Sequence, residues 1–240
     1  MNTNKNSYTI IYATIMVVIV ALLLALVSGA LKEKQTANVE LDKKKQILSS
    51  LNVETAGQDA EAMFYKFIPK AIVVNGKGEV ISEDPIKAFN LDIKKELDKP
   101  IDKRELPVYV ATVDGQTKYI LSVRGAGLWG PIWGYVAFND DKNTVFGSFF
   151  THASETPGLG AEIATKHFQN EFIGKKIKNS DNKFISIAIV KPGQHVEDKD
   201  YVDGISGGTI TSKGVEKMLL SSIGQYEPFL NQTITGGTQQ

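Results

Sequence analysis

The sequence predicts an α+β fold: one N-terminal transmembrane helix followed by a largely antiparallel sheet with a few helices. Three observations carry this. A single uncharged apolar run lies near the N-terminus, glycine-marked hairpin signals recur beyond it, and helical periodicity is confined to short stretches. At 240 residues the chain suits one large domain or two small ones, and 42% apolar with 22% charged residues excludes a disordered chain or a fibre. Basic and acidic residues balance at 27 each with no basic face, which excludes nucleic acid as the expected partner. The chain has no cysteine, so it cannot hold a disulfide, a zinc-thiolate site, an iron–sulfur cluster or a c-type haem. Redox work would need a bound organic cofactor.

Between Lys5 and Lys32 stand 26 residues without a charge, and residues 10–27 are almost wholly apolar. About 20 such residues at 1.5 Å each cross a hydrocarbon core of roughly 30 Å. This predicts an uncleaved anchor, because a signal peptide has an apolar stretch of only about 7–15 residues. No later stretch could cross again. Lys5 stands on one side of the span and Lys32, Lys34 and residues 43–45 on the other, so the positive-inside rule taken alone places the large domain in the cytoplasm. Residues 33 to about 63 are polar and helix-prone, with Val39, Leu41, Ile47, Leu48 and Leu51 spaced for a partly apolar face, and predict a stalk helix. The expected division is 1–31 for the anchor, 32–66 for stalk and linker, and 67–240 for the soluble domain.

Within that domain, residues 70–75 and 79–81 flank Gly76 and Gly78 as a short hairpin. Residues 82–106 are charged, contain Pro85 and Pro100, and predict a connecting excursion. Residues 108–113 and 118–123 flank Asp114-Gly115, a strong hairpin signal, and 131–138, 144–150 and 184–190 extend the sheet. Helical patterns cover 160–172 and 213–223.

Three loops carry candidate chemistry. Residues 203–214 are rich in Gly, Ser and Thr and precede Val215, Met218, Leu219 and Ile223 at helical spacing. Such a loop frees backbone amides toward an anion at the helix N-terminus, with Ser206, Thr209, Thr211 and Ser212 as hydroxyl donors or as a point of esterification. A turn and an N-cap would read the same way. Neither a Walker loop nor the Gly-x-Gly-x-x-Gly fingerprint is present. The second loop, residues 151–160, sets His152, Ser154, Glu155 and Thr156 beside the rigid Pro157-Gly158 pair. Ser and His so close in sequence rarely converge as nucleophile and base, and the three histidines lack metal spacing. The third, residues 124–134, puts Leu128 and Trp129 in a glycine-rich bend, where Trp129 either packs in the core or stacks on a planar ring. A phosphate cradle, a polar turn and an aromatic wall together suit a nucleotide-like ligand.

Asp203, Gly204, Ile205, Ser206, Gly207, Gly208 and Thr209 resemble the Asp-x-x-Ser/Thr-Gly-Ala-Thr signature of proteins that carry covalent FMN, with Gly208 in place of Ala. The resemblance implies Thr209 as the attachment point, a phosphoester through Oγ, with Thr211 as the fallback. The anchor, the segment 38–48, Gly127-Leu-Trp-Gly130 and residues 155–162 extend the likeness over essentially the whole chain. It resembles the NqrC family of the sodium-translocating NADH:quinone oxidoreductases, within the FMN-binding domain family. The related Rnf electron-transport complex has a component with the same flavin loop and anchor, but the stalk sequence favours NqrC.

The resemblance implies a flavoprotein of the bacterial inner membrane with its soluble domain on the periplasmic side, against the lysine count. It implies an electron relay between an iron centre and a second covalent FMN, toward ubiquinone or menaquinone, with the other subunits of the complex as partners and a separate flavin transferase using FAD for maturation. Carried over, Ser206, Gly207 and Gly208 would hold the phosphate, and Asp203 would aid loop conformation or transferase recognition. Glu155, Thr156, Gly158 and Leu159 would line the flavin site, with Leu128 and Trp129 as its wall. No residue is expected to be catalytic or to bind metal. A membrane-anchored scaffold and a flavin enzyme acting alone are the competing classes.

Overall fold

The computed structural model describes residues 6–232. These divide into two compact units, one ending at Lys43 and the other starting at Lys44. The first is most of helix α1, Asn6–Ser50. Its apolar segment is long enough to cross a membrane and none of it is buried against protein, so its outward Ile, Val and Leu side chains need a lipid environment.

α1 ends where Asn52 takes a left-handed φ of +58° and the Val53 amide returns to the Leu48 carbonyl at 3.2 Å. The helix expected to reach about Met63 is therefore two. After a turn containing Gly57 at φ +74°, α2 (Ala60–Phe67) starts with the Asp59 carboxylate accepting from the Glu61 and Ala62 amides. Local capping groups override a continuous helical pattern here.

The sheet has six antiparallel strands: β1 (Lys70–Asn75), β2 (Val80–Ser82), β3 (Glu105–Val113), β4 (Gln116–Ala126), β5 (Pro131–Phe138) and β6 (Val145–His152). Their spatial order is β2-β1-β3-β4-β5-β6. The β3–β4 turn is the expected one, with Asp114 and Gly115 both at positive φ, +51° and +75°. The excursion at 82–106 holds two short helices, α3 (Pro85–Asn90) and α4 (Ile93–Leu97), capped by Asp84 and Asp92.

Period-2 alternation gives this sheet two buried faces. Tyr109, Ile120 and Tyr135 pack with Ile47, Leu48 and Phe64 on one side. Leu121, Val123 and Val136 pack on the other against α6 (Thr209–Gln225), through Val215, Met218, Leu219 and Ile223. The expected helix at 160–172 is broken by Thr165, at ψ 147°, into a 3₁₀ turn (Gly160–Ala164) and the short α5 (Lys166–Asn170). The expected strand at 184–190 shrinks to β7 (Ala188–Val190). Ser186 sits at φ +61°, and the Ile185 and Ser186 amides both turn to the Ile177 carbonyl. β7 pairs in parallel with β8 (Tyr201–Asp203), too short to stand out in the sequence. The last described helix is α7 (Glu227–Leu230).

α6 lies against the end of β4 at a separation that only glycine permits. A Cβ on Gly125 would come within 2.7 Å of the Met218 Cβ, and one on Gly214 would strike the Ala126 carbonyl. The Ser222 hydroxyl fixes the register, accepting the Arg124 amide at 3.1 Å and donating to the Arg124 carbonyl at 3.0 Å. Gly214→Ala is expected to destabilise the full-length chain by about 1–3 kcal/mol through overpacking. Thermal unfolding followed by circular dichroism in detergent checks this, and an unchanged midpoint would show that the contact is slack.

Candidate functional site

Three turns meet at the N-terminus of α6. The first joins β4 to β5: the Gly127 amide donates to the Gly130 carbonyl at 2.8 Å, and Leu128 and Trp129 form the tip. The second is Thr156-Pro157-Gly158-Leu159, closed by the Leu159 amide on the Thr156 carbonyl at 3.1 Å, with Gly158 at φ +75°. The third is Ile205 to Gly208, closed by the Gly208 amide on the Ile205 carbonyl at 2.9 Å, with Gly207 at φ +74°. The second and third turns touch. A Cβ on Gly207 would come 2.6 Å from the Leu159 Cδ2, and one on Gly208 would come 3.1 Å from the Leu159 carbonyl oxygen.

The turns enclose a cavity of about 420 Å³ lined by Leu128, Trp129, Glu155, Thr156, Leu159, Gly160, Gly207, Gly208, Thr209, Ile210 and Thr211. Its size falls within the range of small-molecule and cofactor pockets. Most of the residues singled out in the sequence thus converge on one site. Gly160 and Ile210, which lie in the singled-out loops but are not among the expected site residues, join them; the helix begins at Thr209, four residues before the expected Lys213. Three expected residues stand elsewhere. Asp203 ends β8, exposed, and lines neither this cavity nor the next. Gly158 shapes its turn without lining the cavity, its amide donating to Glu162 Oε1 at 3.1 Å. Ser206 faces a second cavity of about 480 Å³ behind the loop, with Ile189, Val196, Lys191 and Lys213. Thr209 lines both.

The two candidate threonines have opposite environments. Thr211 is buried, and its hydroxyl donates to Glu155 Oε2 at 2.6 Å. Thr209 is exposed at the first position of α6, after Gly208, and no side chain caps this helix. Amides of the first turn have no intrahelical acceptor. An uncapped helix start beside two glycine-permitted turns fits a phosphate. The half-exposed Leu128, Trp129, Leu159 and Ile210 around it fit the faces of a flat ring. The donor set and the cradle therefore fit a phosphate-bearing planar group such as FMN.

Glu155 accepts the Trp129 amide at 2.8 Å, and its own amide donates to His152 Nδ1 at 3.1 Å. Burial works against its charge. The Thr211 hydroxyl, the Trp129 and Leu128 amides and the nearby His152 outweigh burial and hold the carboxyl below its ordinary range. Gly127 and Gly160 make room for it: a Cβ on Gly127 would lie 2.5 Å from Glu155 Oε1, and one on Gly160 would strike Oε2.

The cradle, the aromatic wall and the antiparallel sheet behind them are those of a cofactor-binding domain that follows an apolar helix long enough to cross a membrane, and the FMN-binding domain family model matches residues 127–223. NqrC of Haemophilus ducreyi, a subunit of its Na(+)-translocating NADH-quinone reductase, is 33% identical over 231 residues, covering 90% of this chain and 88% of that protein. The corresponding subunit of Vibrio vulnificus is 30% identical over 223 residues, covering 86% and 87%. The crystal structure of NqrC from Parabacteroides distasonis superposes with a TM-score of 0.79 at 49% identity, over 85% of this chain and 98% of that one. Shewanella oneidensis NqrC gives 0.68 at 27% identity, over 81% and 97%. The chain belongs to the NqrC family of Na(+)-translocating NADH-quinone reductase subunits.

Because the folded pKa of Glu155 is depressed, its contribution to stability is present above the unfolded value of about 4.3 and lost as pH falls through the folded value. The stability lost in Glu155→Gln is therefore expected to be largest near neutral pH and to shrink in acid. Urea midpoints at about pH 7 and about pH 3.5 measure it; a gap that widens in acid would contradict the sign.

Proposed function

We propose that this chain is an electron-relay subunit of a sodium-translocating NADH:quinone reductase, carrying FMN as a phosphoester on Thr209 Oγ. Its family supports an electron-transfer subunit that binds FMN, is anchored in the membrane and works with the other subunits of the complex. The observation that carries the attachment to Thr209 is the contrast of hydroxyls: that of Thr211 is spent on Glu155, whereas Thr209 is exposed at an uncapped helix start.

A bound flavin supplies one-electron acceptance and release; the protein supplies position and electrostatics. Amides of the first turn of α6 and those of Ser206 and Gly207 would hold the phosphate, and Trp129, Leu128, Leu159 and Ile210 would flank the ring. Attachment by a flavin transferase using FAD would join Thr209 Oγ to the FMN phosphorus, breaking the phosphoanhydride, releasing AMP and freeing the hydroxyl proton. In this reading the chain would relay electrons through its bound flavin between an iron centre and a second FMN of the complex, toward quinone. Residues 6–31 carry no charged side chain, so sodium passes through the other subunits.

With a flavin transferase co-expressed, the denatured band is expected to fluoresce in the wild type and in Thr211→Val and to be dark in Thr209→Ala. A dark wild-type band with an active transferase would refute covalent flavin, and a fluorescent Thr209→Ala band would move the attachment elsewhere. We also propose that the soluble domain faces the periplasm. The chain has no cysteine, so a single Asp181→Cys gives a clean probe. Labelling by a membrane-impermeant maleimide in intact spheroplasts is expected, and labelling only after lysis would place the domain in the cytoplasm.

A further inference from the structure

One carboxylate ties together all three segments around the cavity. Glu155 stands between β6 and the 156–159 turn. Its Oε1 accepts the Trp129 amide at the tip of the β4–β5 turn, at 2.8 Å, and its Oε2 accepts the Thr211 hydroxyl in the first turn of α6, at 2.6 Å. Glu155 is 5% exposed and Thr211 1%, whereas Trp129 is 66% exposed. Trp129 therefore has little packing to hold it. A second tether is the Ser154 hydroxyl, which donates to the Trp129 carbonyl at 3.0 Å.

We propose that Glu155 is a positioning residue that fixes the Trp129 wall relative to α6, and so relative to Thr209, before any cofactor arrives. Each of its oxygens accepts from a different segment of the chain, so it acts through Trp129 and Thr211. Charge-assisted bonds in a buried position are the strong class, and here they hold the Trp129 main chain, from which the exposed indole projects. The glycines at 127 and 160 leave the space in which the tie forms. A wall set in advance spares binding the cost of ordering it. Only the consequence for the ring rests on the flavin reading above; the tie belongs to the flavin-free protein.

The test is amide hydrogen exchange at Trp129 in the flavin-free full-length chain in detergent. Glu155→Ala is expected to speed exchange there about tenfold while β3 and the body of α6 stay protected. Glu155→Gln, which keeps an acceptor for the amide and a partner for the hydroxyl but loses the charge, is expected to exchange at a rate between those of the wild type and Glu155→Ala, and Thr211→Val is expected to weaken protection. Unchanged exchange in Glu155→Ala, or a uniform rise across the domain, would overturn the proposal. An indifferent Thr211→Val would overturn the coupling to α6. If the wild type never takes up covalent flavin, the function above fails while the exchange result still decides the tie.

Discussion

The close approach of α6 to β4 is the constraint on which the rest of the structure depends. Gly125 under Met218 and Gly214 under the Ala126 carbonyl bring helix and strand within a distance that side chains on both surfaces would forbid. The apolar stripe of Val215, Met218, Leu219 and Ile223 then closes one face of the sheet. The helix axis is fixed by the same contact, so its N-terminus is delivered to the tip of the β4–β5 hairpin. A wider spacing would leave the core underfilled and carry Thr209 away from Trp129. Stability and site geometry thus draw on one set of atoms.

Polar satisfaction sorts the hydroxyls of α6 into structural and available ones. The Ser222 hydroxyl is used on Arg124, that of Ser212 accepts the Ile205 amide at 3.0 Å, and that of Thr211 is used on Glu155. All three residues are buried, where an unpaired hydroxyl would be costly. Thr209 and Ser206 are exposed on the loop side, where water serves a hydroxyl as well as the protein does. Burial thus marks Thr209 as chemically available and Thr211 as occupied, a distinction that two threonines two residues apart cannot express in sequence.

The strands are legible because their signals are local: Asp114-Gly115 specifies a turn with two positive φ values, and alternation along β3 to β5 reports the pleat. The candidate site is legible mainly through resemblance, since glycine-rich loops beside Trp129 and before the α6 pattern also suit plain turns and an N-cap. What escapes is set by tertiary contacts or by competing caps. The helix expected beyond Ser50 yields to Asn52 and to the Asp59 cap, β7 is cut short by Ser186, and β8 exists only because β7 lies beside it. Polarity in a turn suggests a ligand contact for Glu155. Its two hydrogen bonds, to residues 26 and 56 positions away, lie beyond any local pattern.

The openness of the cavity bears on why covalent attachment suits this fold. Leu128, Trp129, Leu159 and Ile210 are 48%, 66%, 42% and 60% exposed, so a ring held between them keeps an edge toward solvent or a partner. A shallow site loses much of the apolar burial that retains cofactors in closed pockets, at about 25 cal/mol per Å². The helix dipole adds about 0.3–1 kcal/mol, less than a tenfold gain in affinity. Deepening the pocket would restore affinity but bury the ring from its redox partners. A phosphoester at Thr209, as proposed, would remove that conflict: retention would become independent of burial, and the walls would be left to orient the ring rather than to hold it.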